Sequence, residues 1–454
     1  MNYKILRKKH PRFVYESFRW SFKGKDFCMD FRFKLEPDVV FNPRVVVKNV
    51  PTAAKKIRKE VLDNLVFHLG LAEIPSYWKC TLSPNIVVNA GPLNARQISF
   101  WKNLILNGLG EFFYQNKINP YARSFFTITA AQKKAAPIFK KRLPKDRFLV
   151  PIGGGKDSLV TMEIVKSYGK EFRPLILGNV PSAFAASAAA TNAAPIMISR
   201  SIDPELLRLN GKGYLNGHTP FSAYLAFLST LSSALFDFSR IAISQERSAN
   251  EENIKWKGRN INHQYSKSFA FEKKFREYAK CYLSPTINYF SALRPIYELQ
   301  IGQIFSKFPR YFNAFKSCNV FLKKNAWCGR CPKCLSTYFL LSPFIDEGKL
   351  TRIFGRALLN DASLWHYIPA FLGLSGPRPF DCIGTKKEMR AAICLTLKKY
   401  HEEKRALPKL LKRFSAEFKT LCKKDGAAQI LGSWDNRNFL PAGIDASLKK
   451  LLKK

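Results

Sequence analysis

The stretch Phe148–Val165, FLVPIGGGKDSLVTMEIV, constrains the fold more than any other part of the chain. An apolar run, Phe148 to Ile152, leads into Gly153-Gly154-Gly155-Lys156-Asp157-Ser158, after which apolar residues resume at helical spacing. The pattern predicts a short buried strand, a loop, and a helix over Ser158 to Tyr168 capped by Gly169. Strand and helix keep alternating beyond it. RPLILGN and PIMISR read as buried parallel strands, Asp203 to Leu209 starts a helix, and RIAISQE is the next strand. Parallel strands need crossover connections, so the expected class is α/β with a doubly wound parallel sheet. The Ala-rich stretch Ala183 to Ala194 is either a helix packed on that sheet or a mobile loop.

The flanks read differently. Residues 1 to 50 alternate apolar and polar residues, as in FCMDFRFKL and RVVVKNV, which predicts half-buried antiparallel strands. TAAKKIRKEVLDNLVFHLGLAEI predicts an amphipathic helix ending near Gly70, and Leu93 to Gln115 a second helical stretch. The basic segment TAAQKKAAPIFKKRLPKDR marks a boundary. The expected organisation is an N-terminal α+β domain over 1–145, the α/β domain over 146–395, and a basic helical tail over 396–454 ending in LKKLLKK.

No apolar run reaches membrane-spanning length, and Ala223 to Phe236 reads as a buried helix. The basic N-terminus lacks an apolar core and cleavage site, so no secretory signal and a cytoplasmic location are expected. Ten cysteines in a chain of 454 residues do not suggest a disulfide scaffold. The balance of 75 basic against 33 acidic residues, net +42, favours polyanions without naming one. It is compatible with non-specific nucleic-acid binding. Nothing in the sequence indicates an oligomeric state.

Cys318, Cys328, Cys331 and Cys334 are spaced C-x9-C-x2-C-x2-C. Thiolates at two-residue spacing can turn around one tetrahedral ion, and a fourth closes the shell, which predicts structural Zn²⁺ within 316–336. An iron–sulfur cluster is the alternative.

Glycines let the loop's backbone approach a phosphate, and the helix N-terminus adds partial positive charge. The usual patterns do not apply. A Walker A loop needs Ser or Thr after Gly-Lys, where Asp157 stands, and the dinucleotide fingerprint needs a third glycine that is missing. The loop instead resembles the pyrophosphate-binding loop of the PP-loop ATP pyrophosphatases, with Gly153 in place of that loop's first serine. The resemblance implies a PP-loop fold that binds ATP, cleaves it between the α and β phosphates, and adenylates a substrate oxygen. It places Gly154, Gly155 and Ser158 on pyrophosphate, Asp157 near Mg²⁺, and Lys156 as a neutralising charge. Similar cysteine clusters occur in PP-loop enzymes that make 7-cyano-7-deazaguanine.

Polar clusters lie beyond strand ends: LNGHTPFSA, SQERSANEENI, NHQYSKSFAFE and RPFDCIGT. With the loop, the cysteines, LAEIPSYWKC and LNGLGEFFYQN, they resemble the UDP-N-acetylmuramoyl-L-alanyl-L-glutamate epimerase (MurL) family of bacterial peptidoglycan synthesis. The likeness covers most of the chain and weakens at the extreme N-terminus and after about Leu395. Gln245 and Glu252 stand where the family pattern leads us to expect Asn and Gly. The resemblance implies inversion of the terminal glutamate of a UDP-linked muropeptide precursor, with ATP cleaved to AMP and pyrophosphate.

Such chemistry is coherent. The glutamate nitrogen is already an amide, so no pyridoxal Schiff base can form. A free carboxylate resists loss of its α proton because a second negative charge would build beside the first. Adenylation removes that charge, and reprotonation from the opposite face inverts the centre. Two acid/base groups, or one mobile group, are required. The candidates are His218, Glu246, His263, Tyr265 and Cys382, with Arg247 and Lys267 suited to phosphate or carboxylate contacts. Glu246 could serve Mg²⁺ instead, Cys382 could be a buried thiol, and either histidine could be structural. Two other readings remain open on sequence alone. One is a PP-loop enzyme adenylating a base in tRNA for thiolation or amine transfer, which the charge favours. The other is a non-catalytic nucleotide-binding protein.

Overall fold

The structure is a computed structural model that describes residues 2–122, 124–131, 136–321, 324–424 and 426–453. The strands, in chain order, are β1 Arg12–Lys23, β2 Asp26–Leu35, β3 Val39–Phe41, β4 Arg44–Val47, β5 Asn85–Val88, β6 Thr127–Ala130 and β7 Phe148–Pro151. They continue as β8 Phe172–Leu177, β9 Ile196–Ser201, β10 Arg240–Glu246, β11 Ile254–Trp256, β12 Arg259–Ile261 and β13 Asn288–Leu293. One sheet of 11 strands runs β13-β10-β7-β8-β9-β4-β2-β1-β5-β6, with β3 paired to β2, and β11 and β12 form a separate hairpin.

The strands β13, β10, β7, β8 and β9 are parallel to one another. They obey the alternation that begins at Phe148. Antiparallel pairing of β4 with β9, Val47 opposite Ile198, joins them to the N-terminal strands in a continuous sheet. In β2, Phe27, Met29, Phe31, Phe33 and Leu35 are all buried, which is the period-two pattern of a sheet with one packed face. Two apolar cores lie on the two faces: Leu149 belongs to one, its neighbours Phe148 and Val150 to the other.

The chain winds from β7 through β8 to β9, then returns to the other side of β7 for β10 and β13. The connections leaving β7 and β10 therefore diverge. They open a crevice beyond their carboxyl ends, where open α/β sheets bind ligands.

Several local expectations change. The helix Lys59–Trp78 runs well past Gly70 and is buried on nearly all sides rather than amphipathic. Gly70 does not cap it. A Cβ there would lie 2.0 Å from the Tyr15 hydroxyl, so the residue permits a close crossing. Polar residues on this buried helix are partnered: Glu73 pairs with Arg200 at 2.6 Å and the Asn64 amide donates to the Tyr282 carbonyl. The stretch from Leu93 to Gln115 holds two helices, Ala95–Gly108 and Gly110–Gln115, broken at Leu109. The short parallel strands β5 and β6 carry no strong periodic signal and were not expected.

The Ala-rich stretch is a helix, Pro181–Ala190, with Ala183 and Ala186 buried. Part of the basic segment 129–147 lies outside the described residues. The C-terminal helices Lys409–Phe418 and Ala442–Lys453 bury Leu410, Leu411, Phe414, Ile444 and Leu448 against the second core. A disulfide joins Cys394 to Cys422, which spacing alone did not suggest.

One buried residue ties the crevice together. Arg294, just after β13, is 0% exposed. Its Nε donates to Glu272 at 2.9 Å, Nη1 to the Glu246 carbonyl at 2.7 Å and Nη2 to the Lys267 carbonyl at 2.6 Å. Gln245 also turns inward, its Oε1 accepting from Ser291 Oγ at 3.1 Å and lying 3.3 Å from Arg294 Nη2. The departure at position 245 thus falls on a structural network. Removing one member of a buried ion pair strands the other charge, a cost of about 3–5 kcal/mol. Arg294→Ala is therefore expected to lower the unfolding free energy by about that amount in urea. A loss under about 1 kcal/mol would contradict the account.

Candidate active site

The loop after β7 is shaped by contacts that only glycine allows. Gly154 has φ +84°, and a Cβ there would lie 2.3 Å from Ser182 Oγ and 2.6 Å from the Ser182 carbonyl carbon. A Cβ on Gly153 would meet nothing within 4 Å. Gly155 is the N-cap of the helix Lys156–Ser167 and supplies no capping side chain. Ser158 Oγ donates to the Gly155 carbonyl at 2.8 Å. Ser182 Oγ, at the start of the next helix, is buried without a hydrogen-bond partner among the described residues. The Gly154 carbonyl accepts from the Lys316 N–H at 2.9 Å, which fastens the loop to the chain leading into the cysteines.

Charged groups crowd behind this loop. Lys156 Nζ lies 2.6 Å from Asp157 Oδ1 and 3.3 Å from Glu298 Oε2. Lys333 Nζ is 3.8 Å from Glu298 Oε1 and donates to the Cys382 carbonyl. Burial opposes charge on Lys156, but Asp157, Glu298 and Glu246 outweigh it and hold its ammonium above the ordinary value. Burial would likewise raise Asp157, but Lys156, Lys333 and Lys267 hold its carboxyl low. Glu246 goes the other way. Burial, reinforced by Glu298 and Asp157 against the pull of Lys267, pushes it up to about 7.

A second group of side chains adjoins the first. Lys267 Nζ donates to Cys382 Sγ at 3.0 Å, and His263 Nε2 lies 4.0 Å from the same sulfur. Burial and then Lys267 push His263 down to about 3, and its Nδ1 is 3.1 Å from Asn253 Oδ1. The His218 and His263 rings are 6.0 Å apart. His218 Nδ1 lies 3.3 Å from Glu111 Oε2, while its Nε2 is buried without a hydrogen-bond partner among the described residues. Burial, followed by His263, Lys79 and Lys267, pushes His218 down to about 3. Glu111 is pushed up to about 7 by burial and then by Asp381 and Cys382.

The structure thus brings Lys156, Asp157, Glu246, Lys267, His263, Cys382 and His218 into one chain of neighbours. Two expected residues are committed elsewhere. The Tyr265 hydroxyl donates to Asn103 Oδ1 at 2.6 Å. Arg247 lies 3.6 Å from Asp435 with its guanidinium 4.4 Å over the Tyr297 ring. Four members escaped sequence reading. Glu298 follows the end of β13 in RPIYELQ, and Lys333 sits between two cysteines in CPKC. Glu111 is a lone acid in the apolar LGEFF, and Lys79 precedes Cys80. An ionisable residue inside an apolar run was the available signal for Glu111.

The Sγ atoms of Cys318, Cys328, Cys331 and Cys334 all lie within 4.8 Å of one another, the one such group of potential ligands among the described residues. Cys328 and Cys331 are 3.7 and 3.4 Å from Cys334. Four thiolates about 2.3 Å from a tetrahedral ion would be about 3.8 Å apart, so the donor set fits a soft four-coordinate metal. Gly329, at φ +66°, makes the turn between ligands. Cys331 caps the helix Pro332–Leu341, which carries Lys333 to the site. The carboxylates beside the loop are Asp157, Glu246 and Glu298.

The family model described as the MurL N-terminal domain matches residues 5–292, and that described as the MurL C-terminal domain matches 314–428. A protein of Xanthomonas oryzae pv. oryzae named UDP-N-acetyl-alpha-D-muramoyl-L-alanyl-L-glutamate epimerase is 33% identical over 372 residues, 80% of this chain and 81% of that protein. Proteins with the same name from Salinispora tropica and a Micromonospora species are each 32% identical, over 70% of this chain and 70% and 72% of theirs. No solved structure matches the chain.

Two outcomes follow from this geometry. Gly154→Ala is expected to cost about 2 kcal/mol or more in urea unfolding, through left-handed strain and the Ser182 clash, while Gly153→Ser stays within about 0.5 kcal/mol. Equal effects would refute this view of the loop. Elemental analysis of purified protein is expected to find one bound zinc, lost in Cys331→Ser with a lowered melting temperature. Neither zinc nor iron in stoichiometric amount would contradict a metal site.

Proposed function

The chain belongs to the MurL family, and from that premise we propose that it is an ATP-dependent epimerase. Its substrate in this reading is UDP-MurNAc-L-Ala-L-Glu, whose terminal glutamate it inverts for peptidoglycan synthesis. The observation that carries the proposal is the convergence, at one pair of strand ends, of a glycine loop with Asp157 after Lys156 and a buried set of acid/base groups. One half suits activation of a carboxylate and the other suits movement of a proton.

The PP-loop reading assigns 146–395 to ATP binding and catalysis, with the cysteine segment 316–336 holding structural Zn²⁺. The flank 1–145 supplies Lys79 and Glu111, and the flank 396–454 packs on the second core. The N–H groups of Gly154 and Gly155 and the Ser158 hydroxyl hold the phosphates that leave as pyrophosphate. Lys156 and Lys333 neutralise them from behind. Asp157, with Glu246 or Glu298, would hold Mg²⁺, which would supply further positive charge beside the phosphates. The substrate's α-carboxylate attacks the α phosphorus, the acyl adenylate forms, and pyrophosphate departs. With the carboxylate charge gone, the α proton can pass to a protein base. The new negative charge falls on the acyl oxygen beside Lys267. Reprotonation from the other face inverts the centre, and hydrolysis of the anhydride releases AMP. A reaction that uses ATP and a nucleotide-linked precursor is, in this reading, a cytoplasmic one.

The purified protein with Mg-ATP and UDP-MurNAc-L-Ala-L-Glu is expected to yield the D-glutamate epimer, AMP and pyrophosphate. Asp157→Ala should cut AMP release about 100-fold or more while the protein stays folded. Production of ADP and phosphate, or wild-type turnover by Asp157→Ala, would reject the assignment.

A further inference from the structure

Which two groups move the proton is a question about the deep end of the crevice. There His263 sits between two arrangements that differ in kind. On one side is the His218–Glu111 pair. On the other is the Lys267–Cys382 pair.

His218 has the layout of an oriented general base. Its Nδ1 faces the Glu111 carboxylate at 3.3 Å, and its Nε2 is buried with no hydrogen-bond partner among the described residues. A carboxylate facing Nδ1 favours the tautomer protonated there, which leaves the Nε2 lone pair free. A buried polar atom without a partner costs stability, so its retention points to a ligand that meets it. Cys382 has the layout of an acid whose conjugate base is supported. Its sulfur accepts from Lys267 Nζ at 3.0 Å, and the loop behind it is fixed by the Lys333 contact to its carbonyl. Lys267 is in turn held by the Arg294 bond to its own carbonyl.

Resting on the epimerase reading, we infer that His218, aimed by Glu111, and Cys382, supported by Lys267, are the two proton-transfer groups that meet the substrate α-carbon from opposite faces. In one direction the Cα–H bond breaks, the proton goes to His218 Nε2, and the electron pair moves onto the acyl oxygen. The Cys382 S–H bond then breaks, its proton joins the other face of Cα, and the electron pair stays on sulfur beside the Lys267 ammonium. His218 gives its proton to water and the thiolate takes one from water as the anhydride is hydrolysed. The reverse direction exchanges the two roles. Glu111 touches neither substrate nor reacting atoms, so it is a positioning residue.

The pair also sets a pH dependence. Glu111 faces His218, Lys79, Gln115, Asp381 and Cys382, and His218 faces His263, Lys79 and Lys267. Above about 7 the ionised Glu111 carboxylate favours the ring proton on Nδ1 and leaves Nε2 a base. Below it Glu111 is neutral, that preference is lost, and with it the base. Activity therefore falls as pH drops through about 7. A side-chain amide does not titrate in this range, so Glu111→Gln removes that limb.

The test runs the full-length protein with Mg-ATP and each epimer of the UDP-linked dipeptide in D₂O, following AMP release, inversion and deuterium entry at Cα. His218→Asn and Cys382→Ala should each lose inversion about 100-fold or more while AMP release stays within about threefold of wild type. Each should still exchange the α proton of one epimer, and a different one for each variant. The double variant should exchange neither. Inversion at the wild-type rate in either single variant, or loss of AMP release in parallel with inversion, overturns the assignment. So does a Glu111→Gln profile in which inversion per AMP released keeps its acid limb. A wild-type protein that neither releases AMP nor inverts either epimer overturns the epimerase reading itself.

Discussion

The buried guanidinium of Arg294 is the constraint on which the crevice depends. It sits between the end of β10, the segment holding Lys267 and the helix Phe269–Tyr282, and gives each a hydrogen bond. A charge wholly removed from water is tolerable only when its donors are satisfied. Here they are satisfied by the backbone carbonyls of Glu246 and Lys267, two residues whose side chains belong to the site. The desolvation cost of Arg294 is thereby coupled to their placement.

The same logic extends outward. Lys156, Lys333 and Lys267 meet Asp157, Glu246 and Glu298 at close quarters, so no single charge is stranded. Their arrangement depends on pieces distant in sequence. The cysteine cluster sets the start of the helix bearing Lys333, and the β4–β9 pairing anchors the N-terminal half that supplies Lys79 and Glu111. The match to the N-terminal family model spans Lys156, Asp157, Glu246 and Lys267, and the match to the C-terminal model spans Lys333 and Cys382.

Much of this was legible in the sequence because it rests on local rules. The strand, glycine loop and helix from Phe148 need only apolar periodicity and a glycine run, and they stand where expected. The cysteine spacing likewise brings four sulfurs together. What was not legible depends on tertiary contact. Gly70 looked like a helix end, yet it allows Tyr15 to cross a helix that continues to Trp78. Glu111, Lys79, Glu298 and Lys333 reach the site from four separate segments, and no local pattern joins them. Tyr265 sat in a promising polar run, but its hydroxyl turned to Asn103.

In the proposed reaction a carboxylate is activated at the α phosphate of ATP before a proton moves. Substrate labelled with ¹⁸O in the α-carboxylate of its terminal glutamate tests this directly. Attack on the α phosphorus followed by hydrolysis at the acyl carbon leaves one labelled oxygen on the released AMP, detectable by mass spectrometry. AMP carrying one ¹⁸O per inversion is the predicted result. Inversion accompanied by unlabelled AMP would contradict the account.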